Sequence, residues 1–287
     1  VYEPVLHTHD AVGNRIDEVE YHPAYHRLMA MSLANGLHSL PFERPGDGGR
    51  IVRDAKFMAM SQVEAGHGCP ISMTTSCLPA LRAEPALFAQ WKPYVLARGY
   101  RPDLAPVHQK GSATLGMSMT EKQGGSDVRA NTTLAHPNDD GSYRLVGHKW
   151  FTSAPMCDAF LVLAQAPTGL TCFLLPRVLP DGTRNPMRIQ RLKHKVGNRS
   201  NASSEVEYDD AIVWRVGEEG RGVRTILEMV GHTRLDCVVG STALMRQAVT
   251  RAAWHTAHRH AFGAALIDKA LMVNVLADLE WRSRSPR

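Results

Sequence analysis

Long apolar runs are missing from this 287-residue sequence; no stretch approaches the roughly 20 residues that a membrane-spanning helix requires. No signal-peptide pattern opens the chain, which starts at Val1 rather than at an initiator methionine. Cysteine is sparse. Cys69, Cys77, Cys157, Cys172 and Cys237 are odd in number and never form C-x-x-C, which argues against a disulfide framework and for a reducing, cytoplasmic setting. A strong charge is absent too. The formal net charge of +5 is spread along the chain, and its one basic cluster, Arg282-Ser-Arg-Ser-Pro-Arg287, sits at the end, so charge gives little support to nucleic-acid binding. Neither G-x-G-x-x-G nor a β-α-β alternation occurs, which argues against a Rossmann dinucleotide site.

Residues up to about 14 mix His, Pro, Gly and charge without periodicity and read as an arm. His7 and His9 form an H-x-H that could ligate a metal, but no Cys or carboxylate cluster accompanies it, and a solvated tail is preferred. Pro23, behind His22, suits the first turn of a helix, with Leu28, Met31 and Asn35 along one face. A turn-rich break over 41–49 precedes a second helix over 50–65, with Val52, Ala55, Ala59 and Val63 at helical spacing. Gly66-His-Gly68 ends it, and helices over 73–81 and 85–91 follow. Met29, Met31, Met58, Met60 and Met73 are read as core filling, with a substrate wall as the alternative.

Near Lys110 the pattern changes to short β-type runs at 114–120, 131–135, 143–151, 160–165, 171–176, 190–196 and 204–214. Asn138-Asp-Asp-Gly141 and Asp181-Gly182 supply turn signals. These strands predict an antiparallel barrel or sandwich. Gly217-Glu-Glu-Gly-Arg-Gly222 breaks the pattern again, followed by 223–230 and a long helix over 235–260. There Leu235, Val238, Val239, Met245, Val249 and Ala252 share a face. His255, His258 and His260 near its end are read as cationic or hydrogen-bonding groups rather than metal ligands. Another amphipathic helix begins over 267–279. The expected fold class is α+β: an N-terminal arm and helical domain (1–110), a β domain (111–216) and the start of a C-terminal helical bundle (217–287).

Two stretches of the β region carry the chemistry. Met117-Ser-Met-Thr-Glu-Lys-Gln-Gly-Gly-Ser-Asp127 reads as a strand end breaking into a loop at Gly124-Gly125. Glycines there let backbone N–H groups approach a ligand and take up positive φ, and Thr120 and Ser126 add hydroxyls. Gly147-His-Lys-Trp-Phe-Thr-Ser153 delivers an indole, a phenyl ring and two hydroxyls. A flat, polar heteroaromatic ring needs both apolar faces to lie against and donors for its edge. Taken singly, each stretch could be only a turn or a pair of core aromatics.

At these residues the sequence resembles the acyl-CoA dehydrogenase flavoprotein family, whose T-E-x-x-x-G-S-D signature is present as Thr120-Glu121…Gly125-Ser126-Asp127. Met119 to Val128, with Gly147-His-Lys-Trp-Phe151 behind it, is most similar to the AidB-like, alkylation-response branch. So is Lys122-Gln123, where many members carry Pro after the Glu. The resemblance extends from about residue 16 to about 279. It implies an FAD that accepts a hydride from the β-carbon of an acyl thioester while a Glu takes the α-proton. It further implies Met117, Met119, Thr120, Gly125, Ser126, Trp150, Phe151, Thr152 and Ser153 as flavin-binding residues, with Thr120 and Ser126 also meeting substrate. Arg259-His-Ala-Phe-Gly263 matches the family's R-x-x-F-G, whose Arg reaches the cofactor's pyrophosphate, commonly in a neighbouring subunit; a guanidinium fork suits that contact. Ala264-Ala265 replaces a Pro-containing pattern frequent there. Lys195, Gly197 and Arg199 match a K-x-G-x-R-x-S stretch, with a solvated turn as the equal alternative.

No residue matches the family's segment bearing the catalytic carboxylate, nor the DNA-binding C-terminal domain of the AidB-like branch. The chain is therefore read as a fragment, inactive by itself, with no catalytic or metal residue assigned. Its implied partners are an acyl-CoA-type substrate and copies of itself, a tetramer for the full-length protein; DNA would be reached only through the missing region. A DNA-associated, alkylation-protective flavoprotein with little dehydrogenase turnover is the alternative function, and an interaction module without cofactor is a third.

Overall fold

The computed structural model of the protein describes residues 3–284. It corrects the sequence expectation first at the N-terminus. In place of a loose arm, β1 (Val5–His9) and β2 (Arg15–Glu20) form an antiparallel hairpin. Only Asp17 and Val19 of these strands are buried, so the hairpin leaves almost no apolar alternation to detect. Its turn is set by Asp10, whose carboxylate accepts the Val12 and Asn14 amides at 2.9 and 2.8 Å. His7 lies on the ordered strand, its Nε2 2.9 Å from Glu20.

The helical layer comprises α1 (Pro23–Ala34), α2 (Leu40–Glu43), α3 (Gly49–Val63), α4 (Gly68–Leu81), α5 (Pro85–Leu96) and α6 (Val107–Lys110). Gly68, expected to close a helix, opens α4. Nearly every residue of α4 is buried, as befits a helix apolar or small all round. Thr74 on α4 accepts the Leu115 amide at 3.0 Å and so fastens the helical layer to the β region.

That region contains β3 (Leu115–Ser118), β4 (Leu134–Pro137), β5 (Tyr143–Ser153), β6 (Ala159–Ala166), β7 (Gly169–Pro176), β8 (Met187–Leu192) and β9 (Ser203–Arg215). The strand order is β3-β6-β4-β5-β9-β7, and a further β6–β7 pairing closes the path into a barrel, with β8 on β9. Most neighbours are antiparallel as expected, but β3 and β4 each meet β6 in parallel, so the sheet is mixed. β6 and β7 are buried almost end to end, matching their continuous apolar sequence. Asn138 and Ser142 close the β4–β5 turn at 2.8 Å.

Beyond the barrel, what the sequence suggested as two segments is one 37-residue helix, α7 (Gly222–His258). The hairpin β10 (His260–Ala261) and β11 (Ala264–Ala265) and then α8 (Ala270–Arg284) follow. The result is an α+β fold. Residues 285–287 of the terminal basic cluster lie outside the described residues, and Arg282 and Arg284 pair with Asp278 and Glu280 one turn earlier. Among the described residues no helix is long and apolar enough to cross a membrane.

Much of the predicted apolar stripes does not face this chain's core, although Val239 packs against it. Val52 and Val63 are 48% and 68% exposed, and Leu235 and Val238 on α7 are 47% and 58% exposed. The buried face of α3 is instead Arg53, Phe57 and Ser61. Arg53, fully enclosed, grips both carboxylate oxygens of buried Asp236 on α7, donates to the Leu37 carbonyl at 2.7 Å and lies over the Phe57 ring. An ion pair at such depth is costly to break because the surviving charge has no solvent. Asp236→Ala is expected to cost about 3 kcal/mol, read from the urea midpoint; a loss under about 0.5 kcal/mol, the size of an ordinary surface substitution, would show that this clamp does not hold α7 to α3.

Candidate functional site

The two motif stretches meet. The loop following β3 runs beside the distal half of β5, and four hydrogen bonds join them. Trp150 N–H donates to the Thr120 carbonyl at 2.8 Å, and Lys122 N–H to His148 Nε2 at 3.1 Å. The Thr133 hydroxyl donates to the His148 carbonyl at 3.0 Å, and Lys149 Nζ to Glu121 Oε1 at 2.7 Å.

The last of these is fully buried at both ends. Glu121 also accepts the Thr132 and Thr133 amides, at 2.7 and 3.1 Å, and the Thr132 hydroxyl at 3.0 Å. Every oxygen of the carboxylate is thereby satisfied, as burial of a charge demands. Burial alone would raise the Glu121 carboxyl, yet the Lys149 ammonium and the Thr132 amide hold it down at about 2. Burial draws Lys149 down to about 8, against the opposing pull of Glu121. Neither residue was singled out from the sequence. The available signal was one acid in the first motif, Glu121, and one base in the second, Lys149.

The backbone of β5 decides what faces outward. Between Lys149 and Thr152 the β5–β9 register slips by one residue, a β-bulge. Lys149 and Thr152 consequently both point inward, fully buried, while Trp150 and Phe151 both lie toward the surface, Phe151 43% exposed. Lys193 Nζ sits 3.4 Å from the Trp150 ring centroid, with Arg191 and Lys122 at 5.6 and 5.7 Å, so one face of the indole carries cations. That ring of charge depends on β8–β9 register and gave no sequence signal.

Other expected residues are placed as follows. Met117 and Met119 are half-buried against the core. Gly125 and Ser126 are exposed at the loop crest, where their amides make no hydrogen bond among the described residues. A Cβ on Gly125 would come within 2.7 Å of Thr120 Oγ1, so glycine permits the loop to fold against Thr120. Gly124 takes φ +124°. The Thr152 hydroxyl is committed to buried Ser118, and Ser153 Oγ lies 2.9 Å from Ser203, which also receives Lys195 Nζ at 3.0 Å. Thr152 and Ser153 thus turn away from the loop crest. Arg199 pairs with Glu3, and Ser200 with Glu64, so the 195–199 stretch docks on the N-terminal elements.

Arg259 is exposed at the far end of α7. The helix starts against the barrel, where a Cβ on Gly222 would strike the Thr171–Cys172 backbone, and at 1.5 Å per residue it carries Arg259 about 55 Å away. Phe262 and Gly263 form the β10–β11 turn with φ +52° and +77°, a primed turn, leaving Phe262 95% exposed. His258 stacks on Trp254. Among the described residues no group of three or more His, Cys, Asp or Glu is placed to hold a metal.

Asp127 accepts the Arg129 amide at 3.2 Å, and Asp158 pairs with Lys110. What remains uncommitted at the crest is the pair of Gly125 and Ser126 amides, with the Phe151 ring exposed on β5.

Glu121→Gln leaves Lys149 charged and unpaired, and is expected to destabilise the protein by about 3 kcal/mol at neutral pH. Because the folded carboxyl titrates at about 2 against an ordinary 4.5, its contribution is present above pH 4.5 and is lost as pH falls toward 2. The variant should therefore show a shallower acid limb in chemical denaturation; an acid limb parallel to that of the wild type would contradict this role.

Comparison with known proteins follows the same division of the chain. Residues 1–102 match the AidB N-terminal domain (adaptive response protein), 116–211 the acyl-CoA dehydrogenase middle domain and 220–287 its C-terminal domain. The acyl-CoA dehydrogenase-family protein AidB of Escherichia coli is 52% identical over 96% of this chain and 52% of its own length. The crystal structure of Caenorhabditis elegans ACDH-11 in complex with C11-CoA superposes with a TM-score of 0.89 at 30% identity, covering 98% of this chain and 49% of that one. An acyl-CoA dehydrogenase complexed with FAD from Bacillus anthracis shares the fold, with a TM-score of 0.75 at 18% identity over 90% of this chain and 43% of that one. The chain spans about half the length of the curated relatives it matches. With three successive domain matches, half-identity to AidB and a superposable fold, the chain belongs to the acyl-CoA dehydrogenase family, in its AidB-like branch.

Proposed function

We propose that the crest of the 119–126 loop and the outward rings of β5 hold the isoalloxazine of FAD. The protein as a whole is then an FAD-dependent oxidoreductase of acyl-CoA dehydrogenase type. The observation that carries this reading is the cross-linking of the two motifs around Glu121 and Lys149, which sets open amides beside Trp150 and Phe151. A relative solved with C11-CoA and a fold relative solved with FAD support the ligand classes.

Met117, Met119 and Thr120 would support the ring edge, the Gly125 and Ser126 amides would donate to it, and Trp150 and Phe151 would wall it. Thr120 and Ser126 would also meet an acyl-CoA substrate. Bound there, FAD supplies a hydride acceptor for α,β-dehydrogenation of an acyl thioester. Thr152 and Ser153 would meet the cofactor with the hydrogen-bonding capacity left after their contacts to Ser118 and Ser203. The place of Arg259 beyond the far end of α7 favours service to a neighbouring copy, as in a tetramer, and the exposed apolar residues of α3 and α7 would be covered in that assembly. No residue of this chain matches the family's segment that bears the base for the α-proton, so this chain alone is expected to be inactive. The cytoplasm is the proposed setting. A DNA-associated role would need a basic surface, for which a net charge of +5 offers little.

Titrating FAD into the protein while following flavin fluorescence tests the reading. Saturable quenching is expected, weakened ten-fold or more by Trp150→Ala and by Gly125→Val, with circular dichroism unchanged. Equal affinity in both variants would contradict the proposed cradle. Adding an acyl-CoA to the FAD-loaded chain is expected to leave the flavin absorbance unbleached; bleaching would show that a base is present in it after all.

A further inference from the structure

Where the N-terminal hairpin meets the barrel, four guanidiniums surround a cavity of about 180 Å³. Arg15 and Asp17 come from β2, Arg177 from the end of β7, Arg184 and Asn185 from the following turn, and Arg188 from β8. The elements that gather them are local and rigid. The Asp181-Gly182 turn is closed by the Leu179 amide on the Thr183 carbonyl at 2.8 Å, and a Val178–Arg184 bridge ties its ends. Asp17 takes φ +47°, a strained conformation for a residue other than glycine.

Arg177 is the anchor. It is 4% exposed, donates to the Met187 and Asp17 carbonyls at 3.2 and 3.0 Å, and has an Nε–H with no partner. No carboxylate pairs with it among the described residues. Burial pushes its guanidinium down to about 10, with Asp17 pulling the other way. A guanidinium held so deep with no carboxylate bonded to it directly is expensive.

The surrounding carboxylates Asp17 and Glu18 favour its charge through space but bond to other groups. Asp17 is committed to Arg15 Nε at 2.8 Å and to the Ile189 amide at 2.9 Å. Glu18 pairs with Arg184 and Asp209 with Arg188, but neither lines the cavity. The residues that line it thus include four arginines and a single acid, Asp17.

We propose that this cavity is a binding site for a phosphoryl group, either free phosphate or the end of a small phosphomonoester. Guanidinium forks match phosphate oxygens, and here they come from three sides of one cavity. That arrangement suits a tetrahedral anion better than a planar carboxylate. Binding would give Arg177 a directly bonded anion and fasten the hairpin to the barrel. The site is separate from the loop crest proposed for the flavin and stands independently of that reading.

Isothermal titration with inorganic phosphate, glycerol 3-phosphate and acetate at matched ionic strength tests it, using the intact chain. Phosphate or glycerol 3-phosphate should bind saturably, whichever is tighter identifying the source, and acetate should bind at least ten-fold more weakly. Arg184 and Arg188 are about half-exposed, so Arg184→Gln and Arg188→Gln should fold and weaken phosphate binding ten-fold or more. Asp209→Asn, which releases Arg188, should tighten it several-fold, a reversal that a merely structural cluster would not give. Absence of saturable binding, acetate equal to phosphate, or affinity unchanged in the arginine variants would overturn the proposal.

Discussion

One buried ion pair organises the functional half of this molecule. Glu121 and Lys149 lie on segments separated by the whole of β4 and its turns, and their contact at 2.7 Å is shielded completely from solvent. Burying two charges is unfavourable unless geometry and further hydrogen bonds compensate. Here the Thr132 and Thr133 amides complete the carboxylate. Loop and strand therefore have one low-energy arrangement, and the glycine crest is delivered beside the aromatic pair. The T-E of the signature thus has a positional purpose, and its acid is not available for proton transfer.

The barrel and the long helix impose the second constraint. β5 contributes its rings outward only because of the bulge after Lys149; strict alternation would bury one of them. α7 leaves the barrel as a rigid rod, clamped to α3 by Arg53 and Asp236, and sets Arg259 and the strained Phe262-Gly263 turn at its remote end. A cofactor that needed both ends of this layout would be shared between copies. The apolar stripes left open on α3 and α7 are consistent with such sharing.

Much of this was legible in the sequence. All seven barrel strands were placed to within a few residues, since each is a short β-branched or apolar run between turn signals, and the two site motifs stood out by glycine and aromatic content. The parallel pairings of β3 and β4 with β6 were not legible, because partner choice is set by tertiary closure rather than by any local pattern. The N-terminal hairpin escaped because its strands bury only Asp17 and Val19. Periodicity found the apolar stripes of α3 and α7 correctly but could not say what they face, and a buried arginine such as Arg53 contradicts the ordinary rule for charged residues. Within the site, Thr152 was counted as a free hydroxyl because the bulge that turns it inward depends on register with β9.

The account stands or falls on whether the 119–133 loop and the 147–153 stretch of β5 act as one binding unit. Amide hydrogen exchange with and without FAD measures this directly. Both segments are predicted to gain protection together on addition of the cofactor, at the same FAD concentration. Protection of one segment alone, or of neither while FAD binds elsewhere, would contradict it.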